Sequence, residues 1–136
     1  MALTSITQDL VALERGWIFV HCTLTVGATG AVSAVSGKRF NSGAASGENG
    51  GIVRDGTGVY TITLPGRGGL QEIFPLAPVI VDGDAADVRL TLCTDRTVSA
   101  RTVEWTFLDA DTPAATDPAN GSVIEFGFLV RQSSVS

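Results

Sequence analysis

The amino-acid sequence predicts an all-β protein: an antiparallel β-sandwich or jelly roll of about eight or nine short strands, preceded by a short N-terminal helix or arm. Two observations predict it. Apolar residues alternate with polar ones from residue 17 onward, and 16 glycines recur at turn positions between the alternating runs. A chain of 136 residues can bury one core. We therefore predict a helix or arm over 1–16 and a single β-sandwich domain over 17–136.

A helical pattern precedes the strands. Apolar residues at steps of three and four form one stripe, made of Leu3, Ile6, Leu10 and Leu13 and continued by Trp17. Ser5 and Gln8 have the spacing of a capping box, and Gly16 supplies a C-terminal stop. A helix of about ten residues is marginal alone, so the stripe needs a surface to pack on. The sandwich itself, a second protomer or a larger assembly all satisfy that need.

The first strand is predicted over 17–26. Its alternation places one row on the core face, namely Ile18, Val20, Cys22, Leu24 and Val26. The turn GATG at 27–30 predicts a returning strand at 31–36. Residues 37–50 combine four glycines with Ser, Ala and Asn and contain one large apolar residue, Phe40. This composition predicts a long exposed loop.

The later strands are separated by clear turn signals. IVRDGTGVYTITL (52–64) predicts a tight hairpin. Pro75 and Pro78 cannot donate ladder hydrogen bonds, so the run 70–81 is predicted as an edge strand or a broken one. Three further strands are predicted at 88–94, 101–109 and 122–131, with an exposed loop at 110–121.

Charge and hydropathy exclude several partners. The net charge of −5 and the pI of about 4.6 argue against nucleic acid, because nine scattered basic residues do not form a positive face. No stretch approaches the ~18 consecutive apolar residues of a membrane span, so we predict no membrane partner. The N-terminus lacks the basic start and apolar run of a signal peptide.

The two cysteines are predicted to be reduced. Cys22 lies on the predicted core row. Cys93 alternates with Arg89 and Thr91, on the face opposite Val88, Leu90 and Leu92. This mismatch disfavours a disulfide and favours synthesis in the cytoplasm.

The sequence shows no catalytic motif. His21 is the only histidine, and Cys22 beside it points to the opposite face of the strand, which excludes a local Cys–His pair. We interpret His21 as half-covered at an interface. The acidic strings at 81–87 and 109–111 lack the combined glycine and glutamate positions of a calcium loop. We therefore predict no enzyme, no cofactor and no metal, with a structural cation at an Asp loop as the alternative.

Three stretches carry a resemblance to a known family. They are TLTVGATGAVSAVSG (23–37), VRDGTGVYTITL (53–64) and DPANGSVIEFGFLV (117–130). Together they resemble a group of small tailed-bacteriophage virion proteins that share the pattern TVGATGAV, RTGTGVYTVTL and DPA-G-S. The resemblance spans roughly Thr23 to Val130 and implies a capsid decoration (head cement) protein.

The resemblance implies a sandwich or jelly roll, commonly a homotrimer, bound outside the capsid where major capsid subunits meet. It implies no catalytic residues. The expected partners are the major capsid protein and further copies of the chain itself, and the expected location is the outer capsid surface of the virion. The alternative is a receptor- or glycan-binding β-sandwich module of a phage tail or fibre.

Two sets of residues are predicted to make the contacts. The capsid contact is assigned to the N-terminal stripe of Leu3, Ile6, Leu10 and Leu13. Self-association, or the core just beneath the self-contact, is assigned to Trp17, Phe19, Trp105 and Phe126.

Deletion of residues 1–15 tests the role of the N-terminal stripe. If the stripe holds the capsid, the truncated protein folds and forms trimers but no longer sediments with phage heads. Burial of four such aliphatic side chains contributes roughly 6–10 kcal/mol before ordering costs, so the loss of binding is expected to be complete. Normal decoration by the truncated protein contradicts the capsid role, and unfolding assigns the stripe to the core.

Overall fold

Eight antiparallel strands form a two-sheet sandwich in a computed structural model that describes residues 17–67, 70–82, 88–109, 111–112 and 114–132. The strands are β1 (Trp17–Val26), β2 (Val32–Ser36), β3 (Gly51–Gly56), β4 (Val59–Thr63), β5 (Leu70–Asp82), β6 (Val88–Thr97), β7 (Thr102–Asp109) and β8 (Val123–Gln132). One sheet has the order β2-β1-β8-β5 and the other β3-β4-β7-β6. The predicted sandwich is confirmed. The jelly-roll order is not, since β1–β2, β3–β4 and β6–β7 are hairpins within one sheet.

The predicted N-terminal helix lies outside the described residues. Within them, the only helical turn is a 3-10 turn at Ala28–Gly30, in the predicted GATG turn. β1 begins at Trp17, where the sequence period changes from helical steps to alternation.

The core lies between the two sheets and is formed by the alternating inward rows. The alternating apolar row of β8 is buried, since Ile124, Phe126 and Phe128 are fully buried and Val130 is 3% exposed. The rings of Tyr60 and Phe107 pack edge to face at 5.6 Å, and those of Phe107 and Phe126 at 6.5 Å. Each such buried side chain contributes about 1.5–3 kcal/mol by leaving water, so the inward rows stabilise the sandwich.

The sequence predicted the position of edge strand β5 correctly but not the buried face of edge strand β6. The prolines of β5 are explained, because β5 is an edge strand with a register shift between Leu76 and Val79. In β6 the apolar row faces outward: Leu90 and Leu92 are 50% and 52% exposed, whereas Cys93 packs against the core. The predicted mismatch between Cys93 and the core face is therefore wrong. Both thiols are nevertheless free.

The segment 37–50 is more firmly anchored than its composition predicted. Phe40 packs against the core and forms a bridge with Gly50. A side chain at Gly51 would overlap with the backbone of Gly43 and Ala45, so the loop lies directly on the start of β3. The loop before β8 is anchored as well, because Pro118 is buried.

Three turns that are distant in sequence meet around one carboxylate, that of Asp117. Arg54 of β3 donates from Nε at 3.1 Å and from a terminal nitrogen at 2.8 Å, and the Gly58 amide donates at 2.7 Å. The third turn contributes Gly30, which has a φ of +76° and no room for a Cβ beside Asp117. The Tyr60 hydroxyl donates to the Gly30 carbonyl at 2.5 Å. We call this set of contacts the Asp117 network.

The charge on Asp117 is stabilised by its partners. Burial alone would raise the pKa of this carboxyl group. The hydrogen bonds from Arg54 and the Gly58 amide, together with the Arg54 charge, outweigh burial and hold the pKa below its usual value. The side chains of Arg54 and Asp117 are only 29% and 21% exposed, so solvent screens this pair less than a surface pair.

Asp117→Asn tests the weight of this network. The asparagine side chain is neutral and cannot accept both hydrogen bonds from Arg54. We therefore expect the free energy of unfolding, measured in urea at pH 7, to fall by about 2 kcal/mol. The contribution is present above the unfolded-state pKa of about 3.9 and is lost as the pH falls through the lower folded-state value. Below about pH 4, the gap between wild type and variant should therefore close.

The matched control is Asp111→Asn, since Asp111 is exposed. We expect this substitution to change stability by less than about 0.5 kcal/mol. Equal losses in the two variants, or a gap that does not depend on pH, would contradict the assignment.

Candidate interaction surface

The outer face of the sheet that contains β1, β8 and β5 carries an exposed apolar surface. The strand register aligns Phe19, Leu129 and Phe74 in one row across the three strands. Phe19 and Phe74 are 58% and 55% exposed. Leu76, in the adjacent row of β5, is 36% exposed. We name these four residues (Phe19, Phe74, Leu76 and Leu129) the outer apolar surface.

Gly127 makes this surface continuous. It lies between His21 and Leu76 in the register. A Cβ on Gly127 would lie 3.1 Å from Cε1 of Phe19 and 3.3 Å from Cδ1 of Leu76. Because glycine has no side chain, these two side chains from non-adjacent strands can close over β8.

A polar border adjoins the apolar residues. Nε2 of His21 lies 3.6 Å from Oε1 of Glu125, and both side chains are nearly half exposed. Exposed pairs of this kind contribute little to stability. The His21 ring lies nearly parallel to that of Phe19, with centroids 6.3 Å apart. The histidine therefore extends the surface around Phe19.

The residues around His21 offer no activated nucleophile. Cys22 is fully buried on the opposite face of β1, and burial raises the pKa of its thiol to about 12. The thiol is therefore neutral at physiological pH and out of reach of the imidazole.

The predicted self-association residues divide between surface and core. Phe19 lies on the outer apolar surface, and Trp17 is half-buried at the start of β1. Trp105 and Phe126 are 5% and 0% exposed, because they lie on the inward rows of β7 and β8. These two belong to the core and cannot themselves touch a partner. The predicted capsid contact (Leu3, Ile6, Leu10 and Leu13) lies outside the described residues.

Sequence reasoning missed Phe74, Leu76 and Leu129. The signal was present in EIFPLAPV, where two prolines mark an edge strand and apolar residues occupy both alternating rows. One row had to face outward, since an edge strand in a two-sheet sandwich is covered on one face only. Ile73 lies on the buried row of β5, so Phe74 and Leu76 face outward.

The described residues hold no cluster of three or more His, Cys, Asp or Glu side chains that could bind a metal ion. Residues 83–87, with two of the aspartates of the first acidic string, lie outside the described part. In the second string, Oδ1 of Asp109 accepts a hydrogen bond from the Asp111 amide at 2.9 Å, a local turn contact. The same described residues include no helix with the length and hydrophobicity of a membrane span.

Comparison of the chain with models of protein families, with curated proteins and with solved structures finds no match.

Phe19→Ser combined with Phe74→Ser tests whether the surface is built for contact rather than for folding. Both side chains are more than half exposed, so we expect the unfolding free energy to change by less than about 1 kcal/mol. Binding of a hydrophobic dye to the folded protein should fall. Phe126→Ala is the contrasting variant, with an expected loss of roughly 3–5 kcal/mol. If the double serine variant lost as much stability as Phe126→Ala, Phe19 and Phe74 would belong to the core and not to a contact surface.

Proposed function

We propose that the protein is a bacteriophage virion structural protein that decorates the outside of the capsid and stabilises the shell by bridging major capsid subunits. The observation that carries the proposal is the outer apolar surface. Side chains as large as Phe19 and Phe74, which are more than half exposed on either side of Leu129, favour a protein contact. Both side chains lie on the outer face of one sheet, outside the core, where they add little to the stability of the sandwich.

The sequence motifs support the same function. The three stretches that resemble the decoration proteins contain Gly30, Gly58 and Asp117, and these residues meet in the Asp117 network. The shared pattern is thereby explained as a structural device that joins three turns. Such a device fits a protein whose role is to present a surface.

The mechanism is mass action. A protein that binds the assembled shell but not free subunits stabilises the shell by its binding free energy, about 2.7 kcal/mol per site when its concentration is 100 times the Kd. Many such sites on one particle add up to a large barrier to disassembly. A homotrimer increases this effect, because three linked contacts raise the effective concentration of each.

The proposed self-association and shell-binding contacts are assigned to specific residues. Trp17 and Phe19 lie at the start of β1, directly after the predicted arm, so self-association and shell binding would use neighbouring parts of one face. Trp105 and Phe126 support this face from beneath as core residues.

Sedimentation of the purified protein with isolated heads and with isolated tails of its phage tests the proposal. We expect hundreds of copies per head and none on tails. A handful of copies, or binding to tails alone, would instead favour the receptor- or glycan-binding module.

The contact face is tested by the double variant Phe19→Asp and Phe74→Asp, which should weaken head binding at least tenfold because two charges would be buried unpaired. Val53→Asp is the matched control, since Val53 is 44% exposed and lies on β3 of the other sheet. Loss of binding by the control alone would move the contact to the other sheet.

A further inference from the structure

β1 has an open backbone edge along its first half. β2 pairs with β1 only from Thr23 to Val26, whereas β8 pairs with β1 from Trp17 to Thr25. Among the described residues, no strand pairs with positions 17–22 on this side. Gly37 lies against the His21 carbonyl and Cys22, so the open stretch is 17–20. Unpaired strand edges of this kind are templates for another extended chain.

The same half of β1 is where the sandwich opens. On the inward row, exposure rises from 0% at Cys22 to 44% at Ile18, with Val20 half-buried between them. A cavity of about 300 Å³ lies here. Its lining includes Ile18, Val20, Val130, Pro65, Lys38 and Arg101. We call it the β1 groove. Its apolar floor is formed by Ile18, Val20 and Val130.

The rim of the β1 groove is cationic, although the chain as a whole carries a charge of −5. Lys38, Arg39 and Arg101 all line it. Burial lowers the pKa of the Arg101 guanidinium, and the positive charge of Arg39 lowers it further, so the two cations are close enough to repel. Arg39 pairs at 3.1 Å with Glu48, and Arg101 donates to the Leu64 and Pro65 carbonyls.

We propose that the β1 groove binds an extended acidic peptide segment of a partner protein, which adds as a strand to the open edge of β1. Backbone hydrogen bonds to residues 17–20 would hold the segment, an apolar side chain would enter the cavity, and a carboxylate would meet Lys38 on the cationic rim. Strand addition of this type takes its affinity from the main chain and its specificity from pockets for alternate side chains.

The chemistry of the groove selects this occupant over nucleic acid. Lys38 is exposed, whereas Arg39 and Arg101 already have partners, so the rim suits a single carboxylate. A phosphate backbone instead requires a basic stripe that follows it. Four open positions at about 3.3 Å each give an edge of ~13 Å, the length of a short strand. The inference does not depend on the capsid, because the occupant is defined by its own charge and conformation.

Two seven-residue peptides provide the test, one alternating valine with aspartate and the other valine with lysine. The full-length protein, labelled with ¹⁵N, is titrated with each. The aspartate peptide should shift the amide signals of residues 17–20 and of Lys38 and protect the edge amides of β1 from hydrogen exchange. The lysine peptide should bind at least tenfold more weakly.

Lys38→Glu should weaken binding of the aspartate peptide at least tenfold. The control is Arg131→Glu, which makes the same change in charge at an exposed position that does not line the groove, and which should leave binding within about twofold. An unchanged melting temperature shows that each variant is folded. Equal binding of both peptides, no amide shifts at millimolar peptide, or edge amides already protected in the free protein would each overturn the proposal.

Discussion

The hydrogen bonds to the Asp117 carboxylate are the constraint on which the rest of the structure depends. They join Asp117 to Arg54 and to the Gly58 amide, which lie 63 and 59 residues away along the chain. A partly buried carboxylate requires such partners, because its charge is costly to remove from water without them. In exchange, it holds the β3–β4 hairpin, the turn after β1 and the loop before β8 at one end of the sandwich. That closure sets the positions of both sheets.

Because the Asp117 network closes this end of the sandwich, the outer faces of the sheets are available for contacts with other molecules. The inward rows and the Asp117 network hold the sandwich together, so residues on the outer faces have little influence on stability. The outer apolar surface can therefore be selected for binding alone. The opposite end is built differently: β2 is short, the inward row of β1 is left partly open, and the β1 groove results.

The outer apolar surface and the β1 groove share Phe19, which borders the groove and stands in the row with Leu129 and Phe74. A strand added at the edge of β1 would extend the same sheet that carries the outer apolar surface. Binding at the two proposed sites would therefore be coupled through one side chain and one strand. A partner that occupied both would gain from each contact without a second ordering cost for β1.

The sequence by itself determined the class of fold, the hairpins and the edge position of β5, because alternation and turn residues act locally. It could not determine which of two alternating rows is buried in an edge strand. Leu90 and Leu92 of the edge strand β6 face outward. Nor could the sequence separate Phe126, a core residue of β8, from Phe19, a surface residue of β1. The tertiary structure alone decided these cases, since a face is buried only when another sheet covers it. It also alone brought Asp117 to Gly30 and Arg54, a contact that no local pattern encodes.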